Sequence, residues 1–181
     1  MNVAKDINLS LAKSGSGMLS QRMEEALSRQ LNREFEAAYL YLSMSAYADA
    51  LNLDGFAAWL LVQAKEELEH GHRIFRYLMD RDARIAWSGL PAPRDRFDSM
   101  LEVFETAAEH EKSLGAEIEK LATSAAEEKD NTTREFLNWF LREQVEEVAL
   151  TENVRDKLRI IGGKGEGLLL LNSELARRRA E

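Results

Sequence analysis

The sequence predicts an all-α fold: a four-helix bundle with one long crossover between helices two and three, plus a short C-terminal fifth helix. Three observations carry this. Apolar residues recur with a helical rather than a strand period along nearly the whole chain. Few breakers interrupt it: ten glycines and two prolines in 181 residues, falling mostly between segments of roughly 30 residues rich in Ala, Leu, Glu, Arg and Lys. The connections between those segments are short, long and short in turn.

Taken in order, Gly15 and Gly17 close a polar N-terminal arm over residues 1–19. A first helix is expected over 20–51, where Leu27, Leu31, Ala38, Tyr41 and Leu42 make one stripe. Gly55 marks a short turn, and a second helix over 54–81 carries Leu60, Ala64, Ile74, Phe75 and Leu78. Gly89, Pro91 and Pro93 lie in the connection from Asp82 to Asp98. Its 17 residues can stretch to roughly 55 Å at about 3.3 Å each. A 28-residue helix measures only about 42 Å at 1.5 Å per residue, so the crossover can run the bundle's whole length. The third helix is then parallel to the second, while the two short connections make antiparallel hairpins. Capping boxes at Ser99-Met-Leu-Glu102 and Thr132-Thr-Arg-Glu135 start helices expected over 99–129 and 132–161. The third presents Phe104, Ala107, Ala108, Leu114 and Ile118; the fourth presents Leu137, Phe140, Leu141, Val148, Val154 and Leu158. Gly162, Gly163, Gly165 and Gly167 form a hinge before a fifth helix over about 167–178. Residues 20–181 thus read as one bundle domain behind the arm.

Composition narrows the chemistry. The chain has no cysteine, which removes disulfides, thiolate metal sites, iron–sulfur clusters and thiol nucleophiles together. Thirty-two acidic against 24 basic residues give a net charge of −8, which disfavours nucleic acid and favours cations as ligands. No apolar run approaches the length of a membrane helix, and the first residues carry no apolar block suited to a secretory signal, so a soluble cytoplasmic protein without membrane partners is expected.

The functional signal is a set of carboxylates on the apolar faces. Glu34, Glu67 and Glu111 each sit at helical offsets from the core residues of their own segments, as do Gln144 and Glu147 in the fourth. Burying an unpaired carboxylate costs several kcal/mol, so one in every helix needs a reason. The spacing also repeats. Glu34 to Glu67 is 33 residues, with His70 three further on; Glu111 to Gln144 is again 33, with Glu147 three further on. An i,i+3 pair faces one point, so each half of the chain offers one ligand from its first helix and a pair from its second. Gly71 and Gly115 each follow a ligand by four and are expected to leave room beside the site. The four carboxylates sum to −4, which two divalent ions neutralise. Oxygen-rich ligation with one imidazole suits Fe(II) or Mn(II), with Zn(II) a competitor.

At these residues the sequence resembles prokaryotic non-haem ferritins, from about Ser20 to the C-terminus. The stretches that carry the likeness are LNREFEAAYLYLSMSAY, AKEELEHGH, EHEKSL and FLNWFLREQVEEV. The resemblance implies a ferroxidase centre in which one iron takes Glu34, Glu67 and His70. Glu67 bridges to a second iron that adds Glu111 and Glu147, with Gln144 beside it. It places the family's adjacent tyrosine at Tyr41, as a hydrogen-bond partner or one-electron donor, and a third iron position on Glu66, Glu143 and Glu146. Leu68 stands where bacterioferritins carry their haem-ligating Met, and Gln144-x-x-Glu147 where they carry ExxH, so no haem is expected. The family implies Fe(II) as substrate, O2 or peroxide as oxidant, and a homo-oligomeric 24-subunit shell storing ferric oxyhydroxide. The apolar run Leu168–Leu171 is expected to be covered by neighbouring subunits. Arg177-Arg178-Arg179 mildly resembles the basic tails of DNA-protecting miniferritins, although cations also suit a helix C-terminus. Two other readings fit the residues: a di-metal oxidase or catalase without mineral storage, and a metal-free structural bundle.

Overall fold

The structure, a computed structural model, describes residues 19–177; the segment 1–18 and the last four residues, including Arg178 and Arg179, lie outside the described residues. Five helices follow in order: α1 (Gln21–Ala50), α2 (Asp54–Asp80), α3 (Met100–Glu127), α4 (Asn131–Ile161) and α5 (Gly165–Leu175). No strand occurs among the described residues. None of these helices is long and apolar enough to cross a membrane.

Local chemistry starts three of the helices. Ser20 caps α1 by accepting from the Met23 amide at 3.1 Å. Ser99 caps α3 by accepting from the Glu102 amide, while the Glu102 carboxylate accepts from the amide of Asp98 rather than that of Ser99. The expected box at Thr132 does not form. Asp130 caps α4 instead, accepting from the Thr133 amide at 3.0 Å and the Thr133 hydroxyl at 2.6 Å. A carboxylate in the right place outcompetes a hydroxyl two residues later. Helix α4 ends at Gly162, whose φ of +67° is the left-handed conformation glycine adopts at no steric cost.

The crossover lies along α1, tied to it by polar side chains. Asn32 Nδ2 donates to the Ala86 carbonyl and Asn32 Oδ1 accepts from the Ser88 amide, at 2.9 and 3.0 Å. Ser28 accepts from the Ala86 amide and Ser43 donates to the Arg94 carbonyl. The chain thereby returns to the end of the bundle where Phe56 and Trp59 of α2 meet Phe104 of α3. Helix α3 runs parallel to α2, as the length of the crossover allows: their N-terminal ends meet at Phe56, Trp59 and Phe104, and their C-terminal ends at Ile74, Leu78, Ile118 and Leu121.

Three expectations are corrected. Leu42 is 43% exposed and lies off the core stripe, which runs through Tyr41 and Met44. Gly55 is no turn but belongs to the first turn of α2, where a Cβ would lie 1.8 Å from the Asn172 carbonyl oxygen of α5. Leu19, placed at the end of the arm, is buried against the core.

The core falls into two apolar clusters. One is built on Leu27, Leu31, Ile74, Leu78, Ile118 and Phe140. The other is built on Met44, Phe56, Leu60, Phe104 and Val154, with Leu171 and Leu175 of α5. Between them lies a polar layer.

Candidate metal centre

That layer contains Glu34, Glu67, His70, Glu111 and Glu147, all buried. Each helix of the bundle supplies at least one, at the point where its apolar stripe passes from one cluster to the other. Ligand atoms of Glu34, Glu67 and His70 lie within 4.8 Å of one another, and a second such group joins His70 and Glu147 to Glu143.

Most of the carboxylates are held by a donor. Gln30, one turn before Glu34, donates to its Oε1 at 2.7 Å. Gln63 of α2 donates across the bundle to Glu147 Oε2 at 2.7 Å. Tyr41 donates to Glu111 Oε1 at 2.5 Å, and Gln144 donates to Glu111 Oε2 at 2.8 Å and to its backbone carbonyl at 2.9 Å. Glu67 differs. Neither of its oxygens accepts a hydrogen bond among the described residues, although both are fully buried. Among the described residues its only close cationic candidate is His70, whose Nδ1 lies 3.3 Å from Oε2.

The electrostatics follow from this crowding. Burial, then the charges of Glu111 and Glu34, push the Glu67 carboxyl well above the usual carboxylate range. Burial also raises Glu111, against the opposing donors Tyr41 and Gln144. The Tyr41 phenol is driven up by burial and by Glu111, so it remains a neutral donor. Burial lowers His70, which keeps its imidazole neutral and a ring nitrogen lone pair available. Trp139 and Phe140 meet that ring edge-on at 5.5 and 6.0 Å and fix its plane.

A divalent cation fits this layer. It supplies the partner that Glu67 lacks, and the donor set of carboxylates and one imidazole matches a hard or borderline ion. Gln144 is turned by its amide nitrogen toward Glu111, so in this geometry it positions a carboxylate rather than offering an oxygen to a metal. Of the three residues expected at a further iron position, Glu143 joins the converging groups; Glu66 is half-buried and Glu146 exposed, and neither belongs to them.

The interior glycines divide. A Cβ on Gly115 would lie 2.7 Å from Gln144 Cγ, so this glycine makes the room in which Gln144 reaches Glu111. A Cβ on Gly71 would instead meet the Phe35 ring at 2.7 Å, and that glycine serves the approach of α1 to α2. Sequence reasoning missed Gln30 and Gln63. The signal was available: each stands four residues before a core-facing glutamate, on the same helix face.

The Ferritin-like domain family matches residues 24–161. The chain belongs to the ferritin family. It is 41% identical over 161 residues to a bacterial non-heme ferritin of Staphylococcus saprophyticus, covering 89% of this chain and 96% of that one. It is 39% identical over 158 residues to a probable bacterial non-heme ferritin-like protein of Haemophilus influenzae, covering 87% and 96%. Among solved structures, an open-pore ferritin of the hyperthermophilic archaeon Archaeoglobus fulgidus superposes with a TM-score of 0.88 at 41% identity. That likeness covers 91% of this ferritin and 100% of the other chain.

Proposed function

We propose that this ferritin stores iron, oxidising Fe(II) at the buried carboxylate layer and retaining the ferric product in a hollow homo-oligomeric shell of 24 subunits. The observation that carries the chemistry is Glu67, a fully buried carboxylate with no hydrogen-bond donor, set among Glu34, Glu111 and His70 in a ferritin chain. Two Fe(II) are the substrate, each losing one electron to O2 or peroxide. With O2 the balance is 4 Fe(II) + O2 + 6 H2O → 4 FeO(OH) + 8 H+.

The side chains have distinct tasks in this reading. Glu34 and His70 hold one iron, Glu111 and Glu147 the other, and Glu67 lies between them. Gln30, Gln63 and Gln144 hold three of these carboxylates by one oxygen each, so the ligand positions exist before iron arrives and little reorganisation is needed. Tyr41 holds Glu111, and in this reading it also delivers an electron during oxidation. Protons leave as iron enters, because Glu67 is protonated more readily than an ordinary carboxyl. Glu143 lies beside His70 and Glu147; in this reading it receives iron leaving the pair, and a third iron position would be completed by Glu66 and Glu146, which stand outside the converging groups. The absence of haem is part of this proposal, as is a cytoplasmic location.

Particle mass by size exclusion before and after aerobic Fe(II) loading, with iron counted per particle, tests the reading. A large particle that gains far more than two irons per chain is expected. A small particle retaining only two per chain would overturn storage, and unchanged Fe(II) oxidation in Glu67→Ala and His70→Ala would overturn the site.

A further inference from the structure

A groove of about 370 Å³ opens between α1 and α3. Four cations line it, Arg22, Arg29, Arg33 and Lys120, with one carboxylate, Glu117. In a chain whose acids outnumber its bases by 32 to 24, this is a local reversal of charge. The carboxylates in reach do not balance it. Lys120 pairs with Glu117 at 2.7 Å, and Arg33 lies 3.9 Å from the same group. Arg22 lies 3.6 Å from Glu127. Four cations against these two acids leave a surplus of two positive charges. Arg29 joins none of the hydrogen bonds or close ion pairs of the groove, and its charge acts only at longer range on Glu117, the carboxylate already shared by Lys120 and Arg33.

The groove also reaches inward. Gln30, 2% exposed, lines it and donates to Glu34 Oε1 at 2.7 Å. A carboxamide has two N–H donors, so Gln30 can hold Glu34 with one and meet a groove ligand with the other.

We propose that this groove is a binding site for a tetrahedral oxyanion such as phosphate, held by Arg29, Arg33 and Lys120 with the Gln30 amide beneath it. Guanidinium groups match the oxygens of such an anion in pairs, and the lysine adds a mobile point charge. The volume suits a small hydrated anion. Because Gln30 joins the groove to Glu34, occupancy of the groove acts on the carboxylate that holds the first iron. That link rests on the ferroxidase reading; the anion site itself does not.

Equilibrium dialysis of the assembled, metal-free protein against radiolabelled inorganic phosphate tests it, since no iron is needed for the readout. Saturable binding near one phosphate per chain is expected, displaced by sulfate, which has the same shape. The R29Q/K120Q variant is expected to bind at least tenfold more weakly, with unchanged circular dichroism and particle mass. R29Q alone, which removes a side chain that joins no close ion pair of the groove, is expected to lose at least threefold and serves if the double variant does not assemble. Q30L is expected to weaken binding as well, while R76Q, outside the groove, leaves it unchanged. Absence of saturable binding, or R29Q binding phosphate as tightly as the native protein, would overturn the proposal.

Discussion

Glu67 concentrates the cost of this site. Its folded-state carboxyl lies well above the ordinary value of 4.5, raised first by burial and then by the neighbouring carboxylates. The folded metal-free chain therefore binds that proton more tightly than the unfolded chain does. Its stability falls as pH rises from the ordinary carboxylate range through the raised value. Glu67→Gln removes the titration while nearly preserving shape. The metal-free variant is expected to be more stable at neutral pH by about 1–3 kcal/mol, read as a rise in Tm of about 2–4 °C per kcal/mol, and to lose its metal. The same linkage makes Co(II) affinity of the native chain climb with pH over that window; a titration flat in pH would contradict it. Gln63 makes the complementary case. Its amide holds Glu147 from another helix at 2.7 Å, and Gln63→Leu is expected to weaken Co(II) binding about tenfold with the fold intact. The sequence pointed to the carboxylates because buried charge breaks an apolar period visibly. The glutamines sat at the same helical offsets, but a neutral amide in a core is a weaker anomaly and drew no notice.

Helix α2 starts without a cap of its own. Leu53 occupies the N-cap position and offers no side-chain acceptor. The cap comes from 117 residues away: Asn172 Oδ1 of α5 accepts from the amides of Gly55 and Phe56 at 2.9 and 3.1 Å. These are the second and third residues of α2, the amides that an ordinary cap satisfies. Gly55 permits the approach, because any Cβ there would strike the Asn172 backbone. Asn172→Ala is expected to cost about 1 kcal/mol and to speed amide exchange in the first turn of α2. Gly55→Ala is expected to cost more and to expose all of α5, since it displaces backbone rather than one side chain. Matching exchange rates in native and Gly55→Ala protein would contradict this. Such a cap could not be read from the chain, because its two halves belong to helices that meet only in the fold. Local signals did better: Ser99 caps α3 as its box suggested, whereas Thr132 lost to Asp130 because both lay within two residues of the true start.

At the scale of the whole molecule, the polar layer splits the apolar core, and α5 completes only one of the two halves. Leu171 and Leu175 of α5 enter the cluster that holds Phe56 and Phe104, whereas no α5 residue belongs to the other. The period of each helix revealed the bundle, since a stripe of contacts repeats within one segment. It could not reveal which face of α5 packs inward, because Leu168–Leu171 is apolar on every side. The structure divides that run. Leu171 is buried, Leu168 half-buried, and Leu169 and Leu170 are 60% and 72% exposed in the single chain. Two adjacent exposed leucines beside the buried Leu171 are the surface that a second copy of the chain would cover in the proposed shell. Charging both positions separates assembly from chemistry, because the carboxylate layer lies wholly within one chain, on the far side of the α5-supported cluster. Particles of Leu169→Glu/Leu170→Glu are expected to dissociate at lower denaturant than native particles and to retain less iron after loading. Initial Fe(II) oxidation per chain is expected to change less than twofold. A variant that dissociates as the native particle does would show that these leucines face no neighbour. A variant that assembles but fails to oxidise would show that the site depends on contacts between chains.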